Sequence, residues 1–228
     1  MHSRKIRLSA VLLGGALITG ALSVPVHAKV SEATSAEQVR TVQAEDSDAT
    51  RAQSLAEIAR TLPKVGPSDV LKLAESQIGI RENSLGGGTK FHEWYMSTDR
   101  ARETVARDGG AIHHYANAPW CDMFVSWVGD QLGIRPVMGA DAYTVEHAKW
   151  FERHGRWGTE PKPGAVVFFD WSGKKTIDGI DHVGFVVADN GNGTITTIEG
   201  NTDAGAVEKR IRPTWQVVGY GYPYYTAP

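Results

Sequence analysis

The sequence contains a single cysteine, Cys121, among its 228 residues. A framework of internal disulfides and a cysteine-rich zinc site each need several sulfurs in one chain, so both are excluded. An excess of positive charge is also lacking, because 24 Lys and Arg face 26 Asp and Glu and the formal net charge is -2. We therefore expect no nucleic acid partner, since such binding requires a basic surface.

Long apolar runs are absent beyond the N-terminus, where residues 8–24 are mostly apolar and interrupted by glycines. Basic residues precede this run and the small-residue segment VHA follows it at 26–28, a pattern typical of a secretory signal peptide. No later stretch approaches the roughly 20 apolar residues of a membrane span. We predict a signal peptide at residues 1–28, a secreted protein that is extracellular or associated with the cell wall, and no membrane association after cleavage.

Large apolar side chains are scarce over residues 29–66, which predicts a flexible leader because such a segment buries too little surface to offset the entropy of ordering. Leu55, Ile58, Ala59 and Leu62 nevertheless share one helical face. That pattern favours either a transient helix within a linker or a short helix docked on the domain.

Residues 67–228 carry the patterns of one folded domain, in which helical periodicity precedes strand patterns. The predicted helices cover residues 68–78, 90–96 and 121–132, with an irregular segment after the second. The predicted strands cover residues 166–169, 182–187 and 194–199, followed by further β character at 207–211 and 215–225. This order predicts an α+β domain built on an antiparallel sheet, and we expect it to act as a monomer.

Cys121 falls in the first turn of the third predicted helix, where unpaired N–H groups favour a thiolate and thereby a nucleophile. The alternative is a packing cysteine, since free cysteines are among the most buried residues.

The other candidate residues lie on, or directly after, two predicted strands joined by residues 190–193 (NGNG), a strong hairpin signal. A two-residue turn at either Asn-Gly pair leaves the same side chains on one face, whereas a three-residue loop with a regular ladder would flip one strand. The face in question carries His182, Gly184, Glu199 and Asn201.

A cysteine, a histidine and an acid or amide are the nucleophile, base and orienting group of papain-like acyl transfer. His182 alone would be read as a core histidine and Glu199 as a solvated strand end, but together with Cys121 they indicate catalysis. No cofactor or metal site is predicted, because the HExxH pattern is absent and His113 and His114 are adjacent in sequence rather than on one helical face.

Four ordered blocks stand out in the sequence: residues 118–127 (APWCDMFVSW), 163–169 (PGAVVFF), 181–187 (DHVGFVV) and 198–202 (IEGNT). Together they resemble the CHAP family, the cysteine, histidine-dependent amidohydrolase/peptidase domains. The resemblance implies a papain-like α+β fold with N-terminal helices on an antiparallel sheet, and cleavage of amide bonds in peptidoglycan or peptides through a thioester. By motif position it makes Cys121 the nucleophile, His182 the base, Glu199 the orienting group and Asn201 a supporting polar group.

Two positions depart from the family pattern. Trp120 stands where many members carry a Gln able to donate to the oxyanion, and Ala165 stands where an Asp is common. We expect Trp120 on a cleft rim and backbone N–H groups of the Cys121 helix as oxyanion donors. The alternative function is a non-catalytic module that binds the cell wall or a partner. The pattern leaves open whether a hydrolase would cut the muramoyl-alanine amide or a peptide bond of the stem or cross-bridge.

Overall fold

The computed structural model describes residues 54–228. The predicted signal peptide and residues 29–53 of the predicted leader therefore lie outside the described residues. None of the helices within 54–228 combines the length and apolar character that a bilayer crossing requires.

The α-helices precede the strands, and several of them begin at local sequence signals. Thr89 and Thr98 are N-cap residues, whose side-chain oxygens accept hydrogen bonds from the backbone N–H groups of His92 (3.4 Å) and Ala101 (3.1 Å). Pro67 occupies the first turn of its helix, a position that needs no N–H donor. The α-helices are α1 (residues 54–61), α2 (Pro67–Glu75), α3 (Lys90–Ser97), α4 (Asp99–Asp108), α5 (Cys121–Gln131), α6 (Arg135–Met138) and α7 (Thr144–Arg153), with 3-10 helices at Ile112–Asn117, Ile177–Gly179 and Thr214–Gln216.

The strands form one antiparallel sheet in the order β1-β6-β2-β3-β4-β5. Helices followed by an antiparallel sheet confirm the predicted α+β class. The strands are β1 (Trp157–Gly158), β2 (Val166–Phe169), β3 (His182–Asp189), β4 (Thr194–Glu199), β5 (Glu208–Pro213) and β6 (Val217–Gly221).

The two faces of the sheet belong to different clusters of buried side chains. Phe185 and Ile198 join the main core together with residues of the helices, whereas Ile195 belongs to a second, smaller cluster. Side chains alternate along a strand, so His182 and Glu199 lie on the face opposite to Phe185 and Ile198. The predicted common face of His182 and Glu199 is thus present.

The turn between β3 and β4 differs from the predicted two-residue turn. The loop is closed by a hydrogen bond from the Asn190 N–H to the Thr194 carbonyl (3.0 Å), which leaves three residues between them. Gly191 and Gly193 have φ values of +70° and +78°, which glycine adopts without the steric penalty of a Cβ atom. Both Asn-Gly pairs are therefore used in one longer loop.

A β-bulge at Val187 restores the face that the longer loop would have reversed. Next to the loop Asp189 pairs with Ile195, a register that would direct His182 and Glu199 to opposite faces if it continued. The register instead shifts between Val186 and Ala188, beyond which Gly184 pairs with Glu199. One extra residue in the strand compensates for one extra residue in the loop.

The part of the predicted flexible leader that the structure describes is folded against the domain. Leu55 and Ala59 of α1 are each 2% exposed and belong to the main core, as does Val65. The N–H groups of Thr226 and Ala227 both donate to the Val65 carbonyl at 3.1 Å, which fastens this segment to the end of the chain. Of the two alternatives the structure shows the docked helix, because Leu55 and Ala59 are enough to bury one face of α1 on the domain.

Several short elements were not anticipated from the sequence. The segment expected to be irregular contains α4, whose only buried residues are Ala101 and Thr104. A helix that is mostly charged and buries so little gives a weak periodic signal. The chain also forms α6, α7 and the two-residue strand β1, which lie between the predicted third helix and the first predicted strand.

Leu55→Ala should lower the free energy of unfolding by about 2–5 kcal/mol, because it empties a buried leucine site. The measurement is urea unfolding of the purified protein. Ile58→Ala is the matched control, since Ile58 lies on the same helix at 36% exposure and should change stability by less than roughly 0.5 kcal/mol. Equal effects of the two substitutions would contradict the docking of α1.

Candidate active site

Cys121 is the first residue of α5 and is 4% exposed. It lines a cavity of about 270 Å³ whose walls include Tyr115, Pro119, Tyr143 and Asp181. The helix has no side-chain cap at its N-terminus, so N–H groups of its first turn remain without such a partner. The thiol therefore lies at the positive end of the α5 dipole and borders the cavity.

His182 joins Cys121 to Glu199. The Nε2 atom of His182 lies 2.9 Å from Oε2 of Glu199, which leaves Nδ1 as the ring nitrogen for the thiol. Burial lowers the pKa of His182, but the interactions with Cys121 and Glu199 outweigh burial and raise this pKa to about 9. The structure thus brings together three of the four predicted site residues, and the imidazole is favoured in its charged form.

The Glu199 carboxylate is fully buried and accepts hydrogen bonds at both oxygens. Arg212 of β5 donates from Nε to Oε1 (2.9 Å) and from Nη2 to Oε2 (2.6 Å), and Thr197 donates to Oε1 (2.5 Å). Burial raises the pKa of Glu199, but His182 and Arg212 outweigh it and lower this pKa to about 2. Glu199 is therefore ionised at neutral pH.

Glycine is required beside this carboxylate. A Cβ atom on Gly184 would lie 2.6 Å from Cγ of Glu199, and one on Gly200 would lie 2.7 Å from Cβ of Phe124. Gly184 makes room for the acid on the sheet, and Gly200 lets the strand end approach α5.

Asn201 shares no hydrogen bond with His182 or Glu199 in the described part of the chain. It follows β4 with a φ of +52°, a conformation that asparagine tolerates better than most residues. Its carboxamide makes no hydrogen bond to another residue within 54–228, and His182 already uses Glu199. The supporting role assigned to Asn201 stays a prediction.

Trp120 is not on a cleft rim, which corrects the expectation from the sequence. Its side chain is fully buried, stacks on Phe91 at 5.4 Å, and donates from Nε1 to Glu82 at 3.0 Å. The indole N–H is therefore committed to Glu82. An aromatic residue beside the nucleophile here packs within the core, because Phe91 of α3 offers a flat apolar surface.

A buried histidine supports the segment that leads into Cys121. Nδ1 of His92 lies 2.7 Å from the Thr89 hydroxyl, and Nε2 lies 3.1 Å from the Ala118 carbonyl. The hydroxyl donates to Nδ1 and the Nε2 proton is donated to the carbonyl, so a neutral ring satisfies both contacts. Sequence reasoning missed this role, since His92 is distant from Ala118 in sequence.

A buried ion pair fixes one wall of the cavity. Asp141 is 1% exposed and accepts hydrogen bonds from Arg100 (2.6 Å) and Arg107 (2.7 Å). Its Oδ1 atom also accepts the backbone N–H groups of Ala142 (2.9 Å) and Tyr143 (3.0 Å). Asp141 thereby connects the backbone at Tyr143 to two arginines of helix α4.

A second buried carboxylate, Asp122, follows Cys121 directly. Its Oδ1 atom lies 2.7 Å from Nδ1 of His147, whose Nε2 lies 3.0 Å from the Met138 carbonyl. Both ring nitrogens of His147 face oxygen atoms, so each contact needs a proton. A neutral imidazole beside an ionised carboxylate carries only one such proton, and the pair must therefore hold one more. The pair therefore has no net charge, and the acid does not oppose a thiolate at Cys121.

Residues 113–201 match the model of the CHAP domain family. The matched span includes Cys121, His182 and Glu199 and ends at Asn201. No curated protein and no solved structure matches the chain.

The CHAP match confirms the resemblance of the four sequence blocks and indicates hydrolysis of the amidase or peptidase type directed at peptidoglycan. The α+β arrangement agrees with that family. Within residues 54–228 no three side chains of His, Cys, Asp or Glu are grouped to hold a metal ion.

Glu199→Gln should move the pH midpoint of Cys121 alkylation upward by about 1–2 units, since a hydrogen bond to a charged group is worth about 1.5–3 kcal/mol. Asn201→Ala should leave the midpoint in place. The measurement is the rate of iodoacetamide alkylation against pH, with circular dichroism as a check that both variants fold. If only Asn201→Ala moves the midpoint, Asn201 rather than Glu199 orients the imidazole.

Asp122→Asn should lower the free energy of unfolding by about 1–3 kcal/mol at pH 6, because a neutral hydrogen bond replaces the charge-assisted bond between residue 122 and His147. Burial lowers the pKa of His147, but Asp122 outweighs burial and raises it. A raised pKa stabilises the fold below the unfolded value of about 6.5, and this stabilisation is lost as pH rises through the folded value. In urea unfolding, the difference in free energy of unfolding between wild type and Asp122→Asn should therefore become smaller as the pH rises.

Asp178→Asn is the control for Asp122→Asn. The Asp178 side chain is 83% exposed and pairs with Lys149 at 3.0 Å, so its loss should have little effect at either pH. If the difference in free energy of unfolding between wild type and Asp122→Asn grows toward alkaline pH, the Asp122–His147 pair does not hold the additional proton.

Proposed function

We propose that the protein is a secreted, cysteine-dependent peptidoglycan hydrolase that cleaves an amide bond through a thioester. The observation that carries the proposal is one imidazole, His182, set between the acid Glu199 at 2.9 Å and Cys121 inside a CHAP domain. Secretion is supported by the signal-peptide pattern of residues 1–28. The catalytic unit would be residues 67–228, with α1 docked on it.

The first half of the reaction is acylation of Cys121. Its thiolate attacks the carbonyl carbon of the amide, and the carbonyl electron pair moves to oxygen to form a tetrahedral oxyanion. The charged His182 then gives its proton to the amide nitrogen as the C–N bond breaks. The products of this half are a free amine, a neutral imidazole and a thioester on Cys121.

The second half is hydrolysis of the thioester. His182 takes a proton from water, the hydroxide adds to the acyl carbon, and the C–S bond breaks to release a carboxylic acid and the thiolate. His182 ends protonated, as it began. Glu199 holds the ring and stabilises its charge throughout.

First-turn N–H groups of α5 are the proposed oxyanion donors. Trp120 cannot serve through its side chain, because Nε1 donates to Glu82 at 3.0 Å. The first turn has no side-chain cap, and it borders the same cavity as the thiol. Donors on a helix N-terminus are fixed before the reaction, which is what stabilises a developing oxyanion.

Cys121→Ser should abolish release of fragments from purified peptidoglycan, because a serine hydroxyl is hard to ionise beside an imidazole adapted to a thiolate. Mass spectrometry of the wild-type products would show new ends at the muramoyl-alanine amide or within the stem or cross-bridge peptide. The thermal unfolding midpoint should not change, which separates chemistry from folding. Hydrolysis that survives in a stable Cys121→Ser protein would reject Cys121 as nucleophile. Binding to peptidoglycan without hydrolysis by the wild type would favour the non-catalytic module.

A further inference from the structure

Arg212 is the one basic side chain that the described structure places on Glu199 besides His182. Its guanidinium donates to both carboxylate oxygens, and the Arg212 side chain is 14% exposed. Planar, two-point binding of this kind fixes the orientation of a carboxylate as well as its charge. The arginine therefore determines where Glu199 holds its oxygens relative to Nε2 of His182.

Trp171 links the guanidinium to the imidazole on the same side of the sheet. Its ring centroid lies 4.9 Å from Cζ of Arg212 and 5.3 Å from the centroid of the His182 ring. The indole is tilted against the His182 ring at an interplanar angle of 32°, and the Trp171 side chain is 39% exposed. The Trp171 ring thus lies against both cationic groups that bind Glu199.

We infer that Arg212 is a positioning residue of the active site, which acts on His182 and Cys121 through Glu199; the inference rests on the proposed cysteine mechanism. Arg212 lies outside the span that matches the CHAP model, because that match ends at Asn201. Without the guanidinium, a carboxylate as buried as Glu199 would favour its neutral form and lose its hold on the charged imidazole.

The charges around this group come from three elements. His182 of β3 and Arg212 of β5 act on Glu199, and Cys121 of α5 acts on His182. Asp203 and Glu208 act on Arg212 by charge. Thr197 is the uncharged donor on Oε1.

Arg212→Met should lower the rate of hydrolysis roughly tenfold or more. It should also move the acid limb, the low-pH half of the curve of Cys121 alkylation rate against pH, upward by about one pH unit, since charged hydrogen bonds to Glu199 are lost. Arg212→Lys keeps the charge but not the two-point geometry. It should keep the acid limb within roughly 0.3 units while hydrolysis still falls several-fold. A lysine variant with full activity would overturn the geometric part of the inference.

Arg210→Met is the matched control, because Arg210 lies two residues away on the same strand and pairs with Glu208 and Asp203, each at 3.0 Å. It removes an equal charge and should leave the acid limb unchanged. A shift equal to that of Arg212→Met would show a general field effect and overturn the inference.

A double-mutant cycle tests the route through Glu199. In the Glu199→Gln background, Arg212→Met should cause no further shift of the acid limb, and the paired loss also avoids an uncompensated buried carboxylate if Arg212→Met folds poorly. An undiminished shift in that background would overturn the inference. Alkylation needs no peptidoglycan, so a wild type that fails to hydrolyse peptidoglycan would reject the proposed substrate and leave the cycle able to judge Arg212.

Discussion

A carboxylate without exposed surface must be compensated inside the protein, and the site depends on this constraint at Glu199. Desolvation opposes its charge, so the fold supplies an arginine, a histidine and a threonine hydroxyl to its two oxygens. Each partner comes from a strand of the same sheet. The sheet therefore carries every group that compensates the charge of Glu199, whereas the thiol comes from helix α5.

The second buried acid next to the nucleophile follows a different solution. Asp122 is balanced within the helical layer by His147, whose other ring nitrogen is bound by the Met138 carbonyl. Its second oxygen, Oδ2, has no hydrogen-bond partner in the described part of the chain. The two acids thus differ in function, since only Glu199 faces the imidazole that serves the thiol.

The α+β class and the convergence of Cys121, His182 and Glu199 could be predicted, because strand alternation and the first turn of a helix are local patterns. Arg212 could not, although it alternates onto the correct face of β5, since the pairing of β4 with β5 is not encoded in any short motif. Trp120 was assigned to a cleft from its neighbour in sequence, but the contact with Phe91 that buries it spans two helices. The burial of Leu55 could not be predicted for the same reason, because Leu55 lies in a polar segment and the surface that covers it comes from other parts of the chain.

The bulge at Val187 has a consequence for how this hairpin can change in evolution. Because it cancels the odd residue of the 191–193 loop, the lengths of the two are tied by parity. Loss of one residue from either place alone would turn His182 away from Glu199, whereas loss of one from both would preserve their common face. Insertions and deletions in this hairpin should therefore be inherited in pairs, even though the loop lies at the surface where single changes of length are ordinarily neutral.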